Sequence, residues 1–185
     1  MTGPGEIKMG RWIFMMAAVL AMVGGCKSMS LVKSSAVATL VPTTGNKVAG
    51  TVNFSQHGEK MLVEADVTGL SPGLHGFHIH EKGDCRAGDG SSAGGHFNPA
   101  GTPHGGPASA PRHAGDLGNL VSDAGGHAVL SVELTGITLG ADPSSIIGRS
   151  VIVHAGADDL STQPSGGSGA RQACGLIGKN PDKIF

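Results

Sequence analysis

Apolar residues recur at every second position along much of the chain. Val52 and Phe54 alternate with Thr51, Asn53 and Ser55. Met61, Val63, Ala65 and Val67 alternate with Leu62, Glu64 and Asp66, and Leu130, Val132 and Leu134 with Val129, Ser131 and Glu133. Successive side chains of a strand point to opposite faces, so this period of two predicts strands with one buried face. Turn sequences, Ser71-Pro72-Gly73 and Asp123-Ala124-Gly125-Gly126, stand between the runs. Short strands with frequent turns from Ala36 onward predict an all-β domain, a sandwich or a barrel, over residues 36–185. Two stretches, 81–115 and 158–170, are rich in Gly, Pro or Ser and lack this rhythm. Long irregular segments inside a compact domain are usually functional.

The start of the chain follows another pattern. Lys8 and Arg11 precede the uncharged run Trp12 to Val23, then Gly24, Gly25 and Cys26. The run is too short to span a bilayer, which takes about 20 residues. It has the length of the apolar region of a signal peptide. Small residues before a Cys resemble the bacterial lipobox, which makes residues 1–25 a lipoprotein signal peptide and Cys26 the lipidated membrane anchor. Met9 is an alternative start. Residues 26–35 are the tether, polar and without a clear period after Cys26. Lys27, next after the anchored Cys, points to the outer membrane and hence to a periplasmic, membrane-anchored lipoprotein. Losing Glu6, Lys8 and Arg11 by cleavage leaves the remainder mildly acidic.

Composition sharpens this picture. Thirty-two Gly, one Trp and no Tyr disfavour long helices, because each Gly costs backbone entropy there. A formal net charge of −1 with 15% charged residues leaves no basic stripe, which excludes a nucleic-acid partner. Nine His among so few ionisable groups point to metal chemistry. An odd set of three Cys (Cys26, Cys85 and Cys174) asks for one bridge and one Cys with another fate. Export places Cys85 and Cys174 where a disulfide can persist.

The sharpest feature is Gly76-Phe77-His78-Ile79-His80 at the end of a predicted strand. Two residues apart on a strand, both imidazoles face the same side and can reach one ion. The first long loop adds His96, His104, His113 and Asp116, and His154 ends the strand-like run Ser150 to Val153. Imidazole suits copper and zinc, and a carboxylate is an acceptable zinc ligand. Six His and one Asp exceed what one four-coordinate ion needs, so two metals are implied. His75 reads as a packing residue, His57 and His127 as solvated, and Phe77, Phe97 and Ile152 as core or loop packing.

The stretches HGFHIHEKGDC, AGGHFNP, HGGP, RHAGDLGN, IIGRSVIVHAGADDL and ARQACGLIG resemble, in order, the copper–zinc superoxide dismutase family in its bacterial exported form. The resemblance covers essentially everything after Ser35. It implies a Greek-key β-sandwich, or flattened eight-stranded barrel, with two long functional loops. It implies copper held by His78, His80, His96 and His154, and zinc held by His96, His104, His113 and Asp116, with His96 bridging. Asp158 would link a copper His to a zinc His, and a Cys85–Cys174 disulfide would pin Arg171 beside the metals. The implied reaction converts superoxide to dioxygen and hydrogen peroxide by Cu(II)/Cu(I) cycling, with His96 and Arg171 as catalytic residues. No charged residue lies between Asp159 and Arg171, where other members carry guiding charges. Lys82 or Arg86 is a candidate substitute, and a homodimer stays open. Two rivals remain at this level. One is a non-enzymatic copper- or zinc-binding protein of the same fold. The other is a zinc hydrolase with Glu81 as base, which needs an open zinc position.

Overall fold

The computed structural model describes residues 1–3 and 34–180. Residues 4–25 of the expected signal segment, Cys26 and residues 27–33 of the tether lie outside the described residues. The chain divides into two compact units, 1–30 and 31–185, and every described strand lies in the second. These are β1 (Ser35–Pro42), β2 (Ala49–His57), β3 (Lys60–Thr68), β4 (Gly73–His80), β5 (Asp116–Ser122), β6 (Ala128–Leu134), β7 (Ser150–His154) and β8 (Arg171–Lys179). Among the described residues the helical content is one 3-10 turn, Ser91–Ala93.

The eight strands pair antiparallel in the order β5-β4-β7-β8-β1-β2-β3-β6. The two ends of this sheet, β5 and β6, come together and nearly close a barrel. Connections β3–β4 and β6–β7 cross between the halves, which gives the Greek-key order expected from the resemblance.

The period-two pattern sets the register. On β3, Met61, Val63, Ala65 and Val67 are buried against Val52 and Phe54 of β2, while Glu64 and Asp66 are exposed. On β6, Leu130 and Val132 face the same core but are only half-buried, because this strand ends the sheet. The β6–β7 connection adds Ile137, Leu139 and Ile146 to the core.

The exception to alternation locates the site. Every residue from His75 to His80 on β4, and all of β7, is buried. Phe77, Ile79, Val151 and Val153 enter the barrel core. Ile152, on the opposite face of β7, packs outside it with Ala93, Cys85 and Cys174. The connections 81–115 and 155–170 emerge from these same strands. A disulfide between Cys85 and Cys174 ties the first of them to β8.

Removing a fully buried aromatic should cost far more than changing an outward residue of the same sheet. Phe54→Ala is expected to lower stability by about 3–5 kcal/mol, and Val129→Thr to change it by less than about 0.5 kcal/mol. Urea unfolding of both variants in the metal-free form checks this, and equal midpoints would contradict the burial pattern.

Candidate metal centre

The strand period puts His78 and His80 on the outer face of β4, with Phe77 and Ile79 as their inward counterparts. His154 closes β7, which pairs with β4 through His78↔Ile152 and Phe77↔Val153. His96 is brought back by the first long connection, through a bridge to His80 and a hydrogen bond from Phe97 N–H to the Ile79 carbonyl. The ligand-type atoms of His78, His80, His96 and His154 lie within 4.8 Å of one another, as do those of His96, His104, His113 and Asp116. His96 belongs to both groups. All seven residues singled out in the sequence therefore meet, and the other histidines do not. His75 is buried, bonded to the backbone oxygens of His154 (2.8 Å) and Ser71 (2.9 Å). His57 and His127 are exposed, and His127 Nε2 sits 2.8 Å from Asp66 Oδ1.

Each ring is fixed through one nitrogen. His80 Nδ1–H donates to the Gly94 carbonyl (2.9 Å) and His154 Nδ1–H to the Gly169 carbonyl (3.0 Å). His78 does the reverse, its Nε2–H donating to Asp158 Oδ2 (2.8 Å). The nitrogens left over, His78 Nδ1 and Nε2 of His80, His96 and His154, are buried without any hydrogen-bond partner. Buried polar atoms are almost always paired, so a convergent set of bare nitrogens fits a cation. Burial lowers the pKa of His78 to about 4 and of His154 to about 3, and holds His80 well below the usual range. These rings are therefore neutral at pH 7, with lone pairs free to ligate.

The second group is built around one carboxylate oxygen. Asp116 Oδ1 lies 2.9 Å from His96 Nδ1, 3.0 Å from His104 Nδ1 and 3.4 Å from His113 Nδ1. Tetrahedral ligands about 2.0–2.1 Å from zinc stand about 3.3 Å apart, so this spacing fits such an ion. Asp116 Oδ2 accepts from the backbone N–H groups of Gly105 (3.0 Å) and His113 (2.8 Å). Burial would raise this carboxyl, but the bond from His96 and those N–H groups bring it down to about 2. Asp158 spans both groups, since its Oδ1 accepts from His104 Nε2–H at 2.9 Å while Oδ2 holds His78. Burial lowers the pKa of His104, but Asp158 and Asp116 outweigh it and raise the value.

The family comparisons agree with this geometry. The profile of the family described as copper/zinc superoxide dismutase (SODC) matches residues 48–177. The chain belongs to the copper–zinc superoxide dismutase family. Two relatives are similar over most of it. The extracellular superoxide dismutase (Cu-Zn) of Caenorhabditis elegans is 44% identical over 152 residues, which is 78% of this chain and 66% of that protein. Superoxide dismutase (Cu-Zn) 2 of Brassica juncea is 47% identical over 138 residues, 71% of this chain and 90% of that one. The chain thus spans just under two thirds of the length of the worm relative. Copper and zinc are the cofactors of this superoxide dismutase family, and the two groups offer one place for each.

Arg171 begins β8 opposite His154. Its guanidinium donates to the carbonyls of Gly90 and Gly94, both at 2.6 Å. The Gly94 carbonyl also accepts from His80 Nδ1–H, so the guanidinium and the His80 ring share one acceptor. Cys174, three residues on, makes the disulfide that holds the same loop.

Several supporting residues carry no sequence signal of their own. Asn119 brackets Asp158, accepting its N–H at Oδ1 (2.8 Å) and donating to its carbonyl (2.9 Å). Gln163 brackets the backbone of His104 in the same way. Arg149 donates to the Glu81 carbonyl (2.8 Å) and lies 3.6 Å over the Phe97 ring, beside His80 and His96. Gly166 has φ 69°, and a Cβ there would collide with Asp158 Oδ1 and His104 Nε2. Asn119 and Arg149 fall inside the family stretches RHAGDLGN and IIGRSVIVHAGADDL, where nothing in their residue type singles them out. Only contacts reveal Gln163 and Gly166.

Asp158→Asn leaves an amide that can accept from only one of its two imidazoles. Affinity for both metals should fall about 10- to 100-fold with the fold retained. Chelator competition against copper and zinc, beside circular dichroism, reads this. Unchanged affinity for both metals would remove the orienting role of Asp158.

Proposed function

We propose that this chain disproportionates superoxide, with copper held by His78, His80, His96 and His154 and zinc by His96, His104, His113 and Asp116. The observation that carries the reading is a set of four buried, unpartnered ring nitrogens beside a buried-edge arginine, one ring being shared with a carboxylate-centred group. When bound, copper supplies a one-electron couple, and zinc, which has no accessible second oxidation state, supplies a fixed charge. One superoxide loses its electron and leaves as dioxygen. A second gains that electron and two protons and leaves as hydrogen peroxide. Arg171 draws in and orients the small anion through a guanidinium whose position is fixed by Gly90 and Gly94. His96 Nε2 would carry one of the protons whenever it is not engaged with copper, its ring being held from the Nδ1 side within the group centred on Asp116. A mere metal store has no need of Arg171 beside the nitrogens. A hydrolase needs an open zinc position, which the second group does not leave.

Copper- and zinc-loaded protein should dismutate superoxide, and His154→Ala should lose copper and at least about 100-fold in rate while keeping zinc, since His154 belongs to one group only. Metal analysis and a dismutation assay on both proteins decide it. Equal activity removes the catalytic assignment, and zinc bound without copper favours a binding protein.

We also propose export and anchoring at Cys26, in the manner of a bacterial lipoprotein on the periplasmic side of the outer membrane. The basic start, the short apolar run and Gly24-Gly25-Cys26 support this, as does a disulfide suited to an oxidising compartment. The worm relative is itself named extracellular. Cys26→Ser should move the exported protein from the membrane fraction to the soluble one on cell fractionation. An unchanged distribution counts against the anchor.

A further inference from the structure

A cleft of 410 Å³ opens on Arg171, and Asp89 lines it too. These are the only ionisable side chains among its described lining residues; the remainder are Thr43, Thr44, Asn46, Ser91 and two small residues of the 155–170 connection. The connection that supplies Gly169 and Ala170 to the cleft has no charged residue over positions 160–170. The formal charge within this cleft is therefore set by one arginine and one aspartate.

The placement of Asp89 is built. Its Oδ1 accepts from Ser91 N–H at 2.9 Å, which orients the carboxylate at the start of the 3-10 turn Ser91–Ala93. Arg171 grips both ends of that turn, through the Gly90 and Gly94 carbonyls, and a Cβ on Gly90 would stand 3.3 Å from the arginine stem. The nearby Cys85–Cys174 disulfide holds the loop against β8. Asp89 is thus carried on the same rigid piece as the guanidinium it opposes. The two charges are close enough to act on each other, each favouring the ionised form of its partner. Glu81, whose carboxylate accepts from Gly95 N–H, does not line the cleft.

We infer that Asp89 is a rate-tempering charge, set beside Arg171 so that the carboxylate partly cancels the pull of the guanidinium on an incoming small anion. This rests on the dismutase reading above and names a residue that adjusts its rate. An exposed carboxylate acts through solvent, so its influence is modest and fades once the Debye length falls below the separation. It touches neither metal group, so the ligand set is untouched by its replacement.

The test uses the full chain loaded with copper and zinc, and compares Asp89→Asn, Asp89→Lys and Asp89→Glu with the parent. One arm measures the second-order rate constant for superoxide across ionic strength. The other titrates azide, a small anion that ligates copper, by absorbance. Asp89→Asn should raise the rate constant and the azide affinity about two- to fourfold at low salt, and Asp89→Lys more, with the differences closing toward about 0.5 M salt. Asp89→Glu should match the parent. Equal rates and azide affinities at every salt concentration overturn the inference, as does a gain that persists at high salt, which marks a change of shape. A parent protein that binds copper yet fails to dismutate superoxide overturns the functional reading, while the azide arm still decides the role of Asp89.

Discussion

A buried imidazole can keep one nitrogen bare only if its other nitrogen is held, since an unpaired polar atom in the interior is costly and a free ring would turn to find a partner. The whole site depends on this constraint. His80 and His154 are held by the carbonyls of Gly94 and Gly169, and His78 by Asp158. The opposite nitrogens are thereby aimed into a common space. The choice of acceptor also chooses the ligating atom, Nδ1 for His78 and Nε2 for the other two. Burial keeps all three rings neutral, so the same desolvation that makes the bare nitrogens expensive prepares them for a cation.

The barrel makes such holding possible by burying strands on both faces. In β2 and β3 one face is core and the other is solvent. In β4 and β7 the outer face is roofed by the two long connections, so His78 and His80 are as buried as Phe77 and Ile79 behind them. The roof is fastened at several points: the Cys85–Cys174 disulfide, the Arg171 clamp on Gly90 and Gly94, the Arg149 contacts with Glu81 and Phe97, and the Gln163 bracket on His104. Few of these fastenings depend on hydrophobic burial, which suits segments so poor in apolar residues.

Legibility in the sequence follows the same division. The period of two identifies β2 and β3 directly, because solvent on one side forces polar residues into alternate places. It weakens on β7, where Val151, Ile152 and Val153 are all buried and alternation disappears. The core role of Ile137, Leu139 and Ile146 is not readable, since they lie in a connection with no strand period. At the site, the seven candidate ligands are visible because metal chemistry restricts residue type, and Asp158 and Arg171 because they stand in specific motifs. The groups that orient them are hidden for a plain reason. Backbone carbonyls such as those of Gly94 and Gly169 belong to every residue, and a bracket such as Asn119 around Asp158 exists only once the chain has folded.

The two groups also differ in what they ask of the chain. His78, His80 and His154 stand on β4 and β7, whose register is set by core packing, and only His96 comes from a loop. The carboxylate-centred group takes His96, His104 and His113 from the 81–115 connection and Asp116 from its final junction with β5. A barrel can prearrange the first set, whereas the second is assembled from a segment with little apolar surface of its own. Ion binding is folding free energy wherever it orders such a segment. An ion held by the second group would therefore help to shape the loop, and would fix His96, the residue that this group shares with the strand-borne one.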